Sequence, residues 1–421
     1  MNLFYLFKNK FIKKKINLTP EFEISTWRKE QVMLGKLSGI DTTVYDYPDL
    51  SPILMKIARE NLECGAAPSV ISKVVTSYLN KDINEEQFEE LCSNSIYVID
   101  MGYLQKRFQV IGSPDEEKKS FNYPAAFYGA LFGDIAGSAY EFGFTIKQRK
   151  NLNYHTCIQT GSCPTDDTIL SCATAACLKE RIIVQKRNLE LNDYNKHSNY
   201  PFEENPFAQK YKDYARMPFV GASYGGAFYS WVYSDFLTPY GSFGNGSAMR
   251  ISPIPDYFSC LDDVILYSIA SAAATHNHYE GIAGAVITAT STWMAKNGYS
   301  KEQIFKYITK FYVPNHTDLY ISHGVALKDF TMEELKHSVG PTVCPFSVPA
   351  AAICFYYADS YEGVIDNVLS FDGDSDTIGA IAGSIAGAYY GVPEYARDIV
   401  NQKKPNGIFD EALNFFTDHE H

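Results

Sequence analysis

Two stretches of this chain repeat glycine at every fourth residue. They are Gly129, Gly133 and Gly137 in GALFGDIAG, and Gly379, Gly383, Gly387 and Gly391 in GAIAGSIAGAYYG. Each glycine costs a helix about 1 kcal/mol relative to alanine, so the repetition calls for a compensating gain. On a helix this spacing forms one smooth stripe against which a second backbone can lie closely. Similar stripes occur in membrane helices, but the longest apolar runs here, such as Thr377–Gly391, fall short of the roughly 20 residues that span a bilayer. The pattern predicts a tightly packed, soluble helical bundle. Ser268–Ala295, rich in Ala, Gly and Ile, reads as a further buried helix. No alternation of strands with helices signals a parallel sheet, so the expected fold class is all-α.

The 421 residues are 46% hydrophobic, enough for one large domain or two smaller ones. The net charge of −12, from 49 acidic and 37 basic residues, argues against general binding to nucleic-acid backbones. It leaves room for a nucleotide-sized ligand held by backbone amides or metal ions. Nine cysteines without a CxxC pair support neither a disulfide framework nor a zinc site. Cys172 and Cys177, in SCATAACL, read as small buried hydrophobes in a reducing compartment. In the N-terminal MNLFYLFKNKFIKKK the lysines follow the apolar stretch, and no small-residue cleavage site appears. The expected location is cytoplasmic, with no membrane attachment.

Residues 1–120 differ in texture from the rest. Ser51–Leu62, Ala67–Leu79 and Asn84–Leu91 carry apolar residues at helical spacing, broken at Gly65 and at Asn80-Lys81-Asp82. The charged run Gly112–Ser120 reads as a linker. No chemical motif lies in this part, so it reads as a helical prefix that packs on the main domain or recruits a protein partner. Residues 1–110 are accordingly expected to be dispensable for whatever chemistry the rest of the chain performs. Gly- and Ala-rich helices fill the second unit, 121–421.

Two acidic clusters each precede a buried-looking helix: Thr165-Asp166-Asp167-Thr168, and Asp372-Gly373-Asp374-Ser375-Asp376-Thr377. Ordinary N-capping needs one such side chain, and each cluster supplies several. Adjacent carboxylates repel unless a cation lies between them. Oxygen ligands of this kind suit Mg²⁺, Mn²⁺ or Ca²⁺ rather than zinc. Asp134 and Glu141, seven residues apart, would share a face if one helix carried both. Tyr240–Arg250 is a glycine-rich loop without the GK[ST] ending of a Walker motif, and alone it is a weak phosphate signal. His276 and His278, two apart near the middle of the expected Ala-rich helix, cannot share a face. A zinc pair therefore fails, and one histidine reaching into a pocket is the better reading.

The order of the motifs is more specific than any one of them. GDIAGSAYEF, TDDTILS, YGSFGNGSAMRISP, ATHNHYEGI, SVPAAAICFYYADS and GDSDTIGAIAGSIAGAYYG together resemble an ADP-ribosylglycohydrolase of the bacterial, dinitrogenase reductase-activating type, from Tyr123 to Pro393. That resemblance implies an all-α domain holding two divalent cations, Mg²⁺ or Mn²⁺. It implies Thr165, Asp166 and Asp167 as one ligand set, and Asp374, Asp376 and Thr377 as the other, with Asp376 bridging. It further implies that Gly241, Ser242, Phe243, Gly244, Asn245 and Gly246 hold a pyrophosphate, and that His276 lies beside ribose and phosphate. The metals would bind the hydroxyls of the distal ribose and orient a water towards the anomeric carbon, with Glu141 or Asp376 taking its proton. The implied substrate is an ADP-ribosylated protein, nucleic acid or small molecule. Two departures stand out: Asp372 replaces the usual glycine before Gly373, and Tyr279 stands where many relatives have proline.

Two other readings stay open at this point. One is a two-metal phosphohydrolase cutting the pyrophosphate. The other is a non-catalytic module that binds ADP-ribose or neutralises a transferase. The linkage cleaved is not legible, because it depends on the rim of the site.

Overall fold

A computed structural model describes residues 47–141, 152–179, 205–312 and 342–417, apart from residues 64, 220, 371, 372 and 406. The N-terminal MNLFYLFKNKFIKKK, Cys64 and Asp372 lie outside them. Among the described residues every regular element is helical, and one isolated bridge joins Gly244 to Val343. No helix among them is long and apolar enough to cross a membrane. The described cysteines are all free, with Cys172 and Cys177 buried.

The prefix folds as α1 (Pro52–Glu63), α2 (Pro68–Leu79), α3 (Glu85–Asn94), a 3₁₀ turn at Ser95–Tyr97 and α4 (Met101–Arg107). The breaks fall where expected, with Gly65 at φ +94° and Lys81 at φ +66°. Asn84 opens α3 through a reciprocal capping box with Gln87, which satisfies two otherwise orphaned amides. Leu54, Ile71, Val74, Phe88, Leu91 and Val98 belong to a small apolar cluster of their own. From Ile99 onward the allegiance changes: Met101, Leu104 and Phe108 are part of the large core of the molecule. Helix α4 is thus rooted in the main body. The following charged run also docks, through hydrogen bonds from Glu116 N to Gly298 O at 2.8 Å and from Lys119 N to Lys296 O at 2.9 Å.

The main body is built round α5 (Ala125–Ser138), α6 (Asp166–Lys179), α7 (Leu261–Ala273), α8 (Tyr279–Lys296), α9 (Cys344–Tyr356) and α10 (Ser375–Tyr390). The two glycine stripes face each other, with α5 and α10 antiparallel. Gly129 lies against Gly383, Gly133 against Gly379 and Gly137 against Ser375. A Cβ on Gly133 would fall 2.0 Å from Gly379 O, and one on Gly129 2.2 Å from Gly383 O. Only hydrogen fits at these positions, so the backbone contact is the gain that offsets the glycine cost. Asp256 Oδ2 accepts from Phe127 N at 2.9 Å, supplying from another element the cap that Pro124 lacks.

Two expectations need correction. Ser268–Ala295 is two helices, α7 and α8, separated by Ala274–His278. No glycine or proline marks this break, because tertiary bonds make it. His278 Nδ1 accepts from Glu280 N at 3.1 Å and caps α8, while Asn277 Oδ1 accepts from Gly241 N at 2.8 Å. Secondly, Asp134 and Glu141 do not share a helix. Helix α5 ends at Ser138, and Glu141 sits in the turn beyond it.

Candidate active site and metal centre

The α5–α10 crossing determines where the acids go. Ser375 Oγ donates to Gly137 O at 2.9 Å, which fixes the end of α5 against the start of α10. Asp134 and Glu141 therefore meet Asp374 and Asp376, although about 240 residues separate them in sequence. Helix α6 brings its own first turn, with Asp166 and Asp167, to the same place.

Carboxylate oxygens of Asp134, Asp167 and Asp376 lie within 4.8 Å of one another, as do those of Glu141, Asp374 and Asp376. Asp376 is common to both groups. Thr165 and Thr377 line the first, since Thr165 Oγ1 and Thr377 Oγ1 are each 3.3 Å from Asp167 Oδ2. The two TDDT and GDSDT motifs thus converge. Asp134, which stands outside the ligand set the resemblance implies, is one of the three acids of the first group. Its role differs from that of its neighbours. Asp134 Oδ2 accepts from Thr165 N at 3.0 Å and Thr168 N at 3.1 Å, and from the Thr168 hydroxyl, while Oδ1 accepts from Thr165 Oγ1 at 2.8 Å. A carboxylate with this many donors holds the start of α6 in place from outside it.

Burial pushes Asp134 up to about 6 despite the hydrogen bonds from Thr168 and Thr165, which oppose the shift. Glu141, half-buried, is pushed up to about 7, by burial first and then by the charges of Asp374, Asp166 and Asp134. Asp167 and Asp376 are held well above the carboxylate range, again by burial and then by neighbouring acids. Acids crowded in this way lack a counter-charge. Asp167 Oδ1 in addition is buried with no hydrogen-bond partner. An orphaned carboxylate oxygen among carboxylate and hydroxyl oxygens fits a hard divalent cation, and among the described residues no His or Cys joins either group.

The glycine-rich segment lies beside these acids. Asn245 connects the two, its Nδ2 donating to Asp374 Oδ2 at 2.5 Å and to Ser347 Oγ at 2.9 Å. Ser242 Oγ accepts from Gly244 N at 3.1 Å, and Phe243 O accepts from Cys344 N at 3.1 Å. His276 closes the other side. A Cβ on Gly246 would come 3.3 Å from its Nε2, and one on Gly244 3.5 Å, so the imidazole edge faces the loop directly. Gly241 takes φ +72° and packs on Tyr97 of the prefix, which is also edge-on to His278 with ring centroids 6.0 Å apart. Tyr97 has no sequence signal, since its relation to the loop is purely tertiary.

Among the described residues, the fold and site define a helical protein whose acid-lined centre sits where two glycine-striped helices meet, next to the glycine-rich loop Gly241–Gly246. The family model for ADP-ribosylglycohydrolase matches residues 118–413. The chain belongs to the ADP-ribosylglycohydrolase family. Among its relatives, the ADP-ribosylhydrolase ARH3 of Bos taurus is 28% identical over 326 residues, covering 63% of this chain and 84% of the relative. The ARH3 of Homo sapiens is 27% identical over 352 residues, covering 68% and 91%. A solved structure described as an ADP-ribosylglycohydrolase-related protein complex covers 70% of this chain and 96% of its own, at 20% identity and a TM-score of 0.46. Membership makes the chain a glycosyl hydrolase that removes ADP-ribose by hydrolysis.

Proposed function

We propose that this enzyme releases intact ADP-ribose from an N- or O-glycosidic adduct, using two divalent cations, Mg²⁺ or Mn²⁺, held by the two acid groups. The observation that carries the reading is Asp376, common to both groups, together with the partnerless buried Oδ1 of Asp167. As the resemblance implies, Thr165, Asp166 and Asp167 would hold one cation, and Asp374, Asp376 and Thr377 the other. Of these, Asp166 stands outside both acid groups, its Oδ1 accepting from Ser223 N at 3.2 Å, and Thr377 Oγ1 lies beside Asp167 of the first. Bound there, such ions supply Lewis acidity and lower the pKa of a coordinated water.

The chain's own groups do the rest. Glu141 stands on the less buried side of the centre, where its carboxylate can take a proton from an attacking water and return it to the leaving group. Asp134 keeps Thr165 and the first turn of α6 in register. The amides of Gly241–Gly246 and the His276 edge receive the diphosphate, and Asn245 couples that loop to Asp374. Residues 1–120 act as an accessory segment to the domain at 121–421, with helix α4 rooted in the core of that domain. Free, buried thiols at Cys172 and Cys177 support a reducing, cytoplasmic setting.

The test is product analysis. Peptides carrying serine- or arginine-linked ADP-ribose are incubated with the protein in Mg²⁺, in Mn²⁺ and in EDTA, and the products are weighed by mass spectrometry. Intact ADP-ribose, formed only with cation, is expected. AMP as product would favour a phosphohydrolase, and ADP-ribose binding without turnover would favour a binding module.

A further inference from the structure

Arg250 ends the glycine-rich segment and is completely buried, its Cζ 3.9 Å from the centroid of the Tyr211 ring. Its Nη2 donates to Ser271 O at 2.8 Å and to Thr275 Oγ1 at 2.9 Å. Thr275 Oγ1 in turn lies 2.7 Å from His276 Nδ1. Both Thr275 and His276 are buried, and the opposite edge of the imidazole faces Gly244 and Gly246.

The direction of these bonds follows from the donors available. A guanidinium has hydrogens to give and no lone pair to accept with. Thr275 Oγ1 therefore accepts from Arg250 and keeps its own single hydrogen to donate. His276 Nδ1 is the acceptor in reach. A protonated Nδ1 would aim two donors at the hydroxyl and strand the Thr275 hydrogen in a fully buried position, at a cost of roughly 1–3 kcal/mol.

We propose that Arg250 and Thr275 are positioning residues that fix His276 as its Nε2–H tautomer and so make it a hydrogen-bond donor to the anion held by the Gly241–Gly246 loop. The second half rests on the reading of that loop as the diphosphate site. Burial, and then the Arg250 charge, hold His276 well below the ordinary histidine range, so the ring stays neutral. A neutral donor binds a diphosphate without the cost of burying a second cation beside Arg250.

The test reads the tautomer itself. Protein with ¹⁵N-labelled histidine is examined by two-bond ¹⁵N–¹H correlation, with His276 assigned from the spectrum of His276→Gln. The expected pattern is a pyrrole-like Nε2 and a pyridine-like Nδ1, both in wild type and in Thr275→Ser. Thr275→Val keeps the shape and loses the hydroxyl. It should give a mixture of tautomers and weaken ADP-ribose binding about ten-fold by calorimetry, as for one lost hydrogen bond to a charged group. Thr275→Ser should restore both. A protonated Nδ1 in wild type, or an unchanged tautomer in a folded Thr275→Val, overturns the proposal. Should wild type show the stated tautomer yet bind no ADP-ribose, the relay stands and the diphosphate reading of the loop fails.

Discussion

Arg107 Nε donates to the Tyr279 hydroxyl at 2.7 Å, joining the last residue of α4 to the first residue of α8 across 172 positions of sequence. Arg107 also lies over the Phe311 ring, 5.6 Å from its centroid. Gly65 makes a second contact with the same tyrosine, since a Cβ there would fall 2.3 Å from Tyr279 Cγ. These contacts make Tyr279 the seat on which residues of the prefix dock. The seat directly follows His276, Asn277 and His278, so the prefix and the Gly241–Gly246 loop share one support.

Removing that anchor should cost stability. Arg107→Ala is expected to lose about 1–3 kcal/mol, from one partly buried hydrogen bond and the ring contacts. Tyr279→Phe should lose less, and the double variant should lose less than the sum of the two. Thermal melts of the four proteins measure the coupling, and strict additivity would mean that the bond contributes nothing.

Glu280, next in sequence, gives a dependence on pH. It is buried, one of its oxygens lacks a partner, and burial pushes it up to about 8 even with Arg107 nearby. Tyr279, Tyr312 and Cys344 are the other titratable groups that feel its charge. The unfolded chain gives up this proton near the ordinary glutamate range, whereas the folded chain keeps it until about pH 8. Stability therefore falls as pH rises between those limits, by about 1.4 kcal/mol per pH unit at most. Glu280→Gln mimics the protonated form and should flatten this slope. Melting temperatures of both proteins from pH 5 to 8, with Mg²⁺ present throughout, check it. Parallel slopes would clear Glu280 of the effect.

Much of this architecture was legible because it rests on local chemistry. The glycine stripes of α5 and α10 signal a backbone contact whatever their partner, and the TDDT and GDSDT runs signal helix starts too acidic for simple caps. Asp134 was underrated for a physical reason. In AAFYGALFGDIAGS it is the sole charge of an apolar helix, and its donors come from Thr165 and Thr168 on another element. A lone acid on a glycine stripe was the available clue. The break at Ala274–His278 was invisible because Arg250, Gly241 and Tyr240, far off in sequence, provide the bonds that stop α7.

The stripe itself can be tested by one methyl group. Gly133→Ala would place a Cβ 2.0 Å from Gly379 O, so α5 and α10 must separate. A loss of about 3 kcal/mol or more is expected, comparable with severe overpacking. Gly161→Ala, where nothing lies within 4 Å, should be neutral. Circular dichroism melts compare them. A Gly133→Ala protein as stable as wild type would show that the helices are not in backbone contact.

Metal dependence and catalysis separate in Asp376→Asn. Mg²⁺ or Mn²⁺ should raise the melting temperature of wild type, by relieving repulsion among the acids, and should do so much less in this variant. Turnover should fall roughly 100-fold or more, the scale for one preorganised charge. ADP-ribose should still bind, since the Gly241–Gly246 loop and His276 are untouched. Turnover within a few-fold of wild type would remove Asp376 from the centre of the mechanism.

The last prediction concerns the prefix, whose lack of motifs suggested that residues 1–110 are dispensable for hydrolysis. The contacts argue the other way. Leu104 and Phe108 are buried in the main core, and Tyr97 packs against both Gly241 and His278. Deleting 1–110 would expose that apolar surface and should yield a destabilised or insoluble protein. A gentler probe is Tyr97→Ala, which leaves the fold and removes the wall behind the loop. Freed on that side, the Gly241–Gly246 segment would have to be ordered by the ligand, at a cost paid in binding. KM for an ADP-ribosylated peptide should rise about 5–10-fold while kcat stays within two-fold, the signature of binding shared by ground and transition states. Tyr97→Phe, which keeps the ring, should stay much closer to wild type than Tyr97→Ala. Steady-state kinetics on the three proteins decide the matter: unchanged KM in Tyr97→Ala would return the prefix to a role apart from the site.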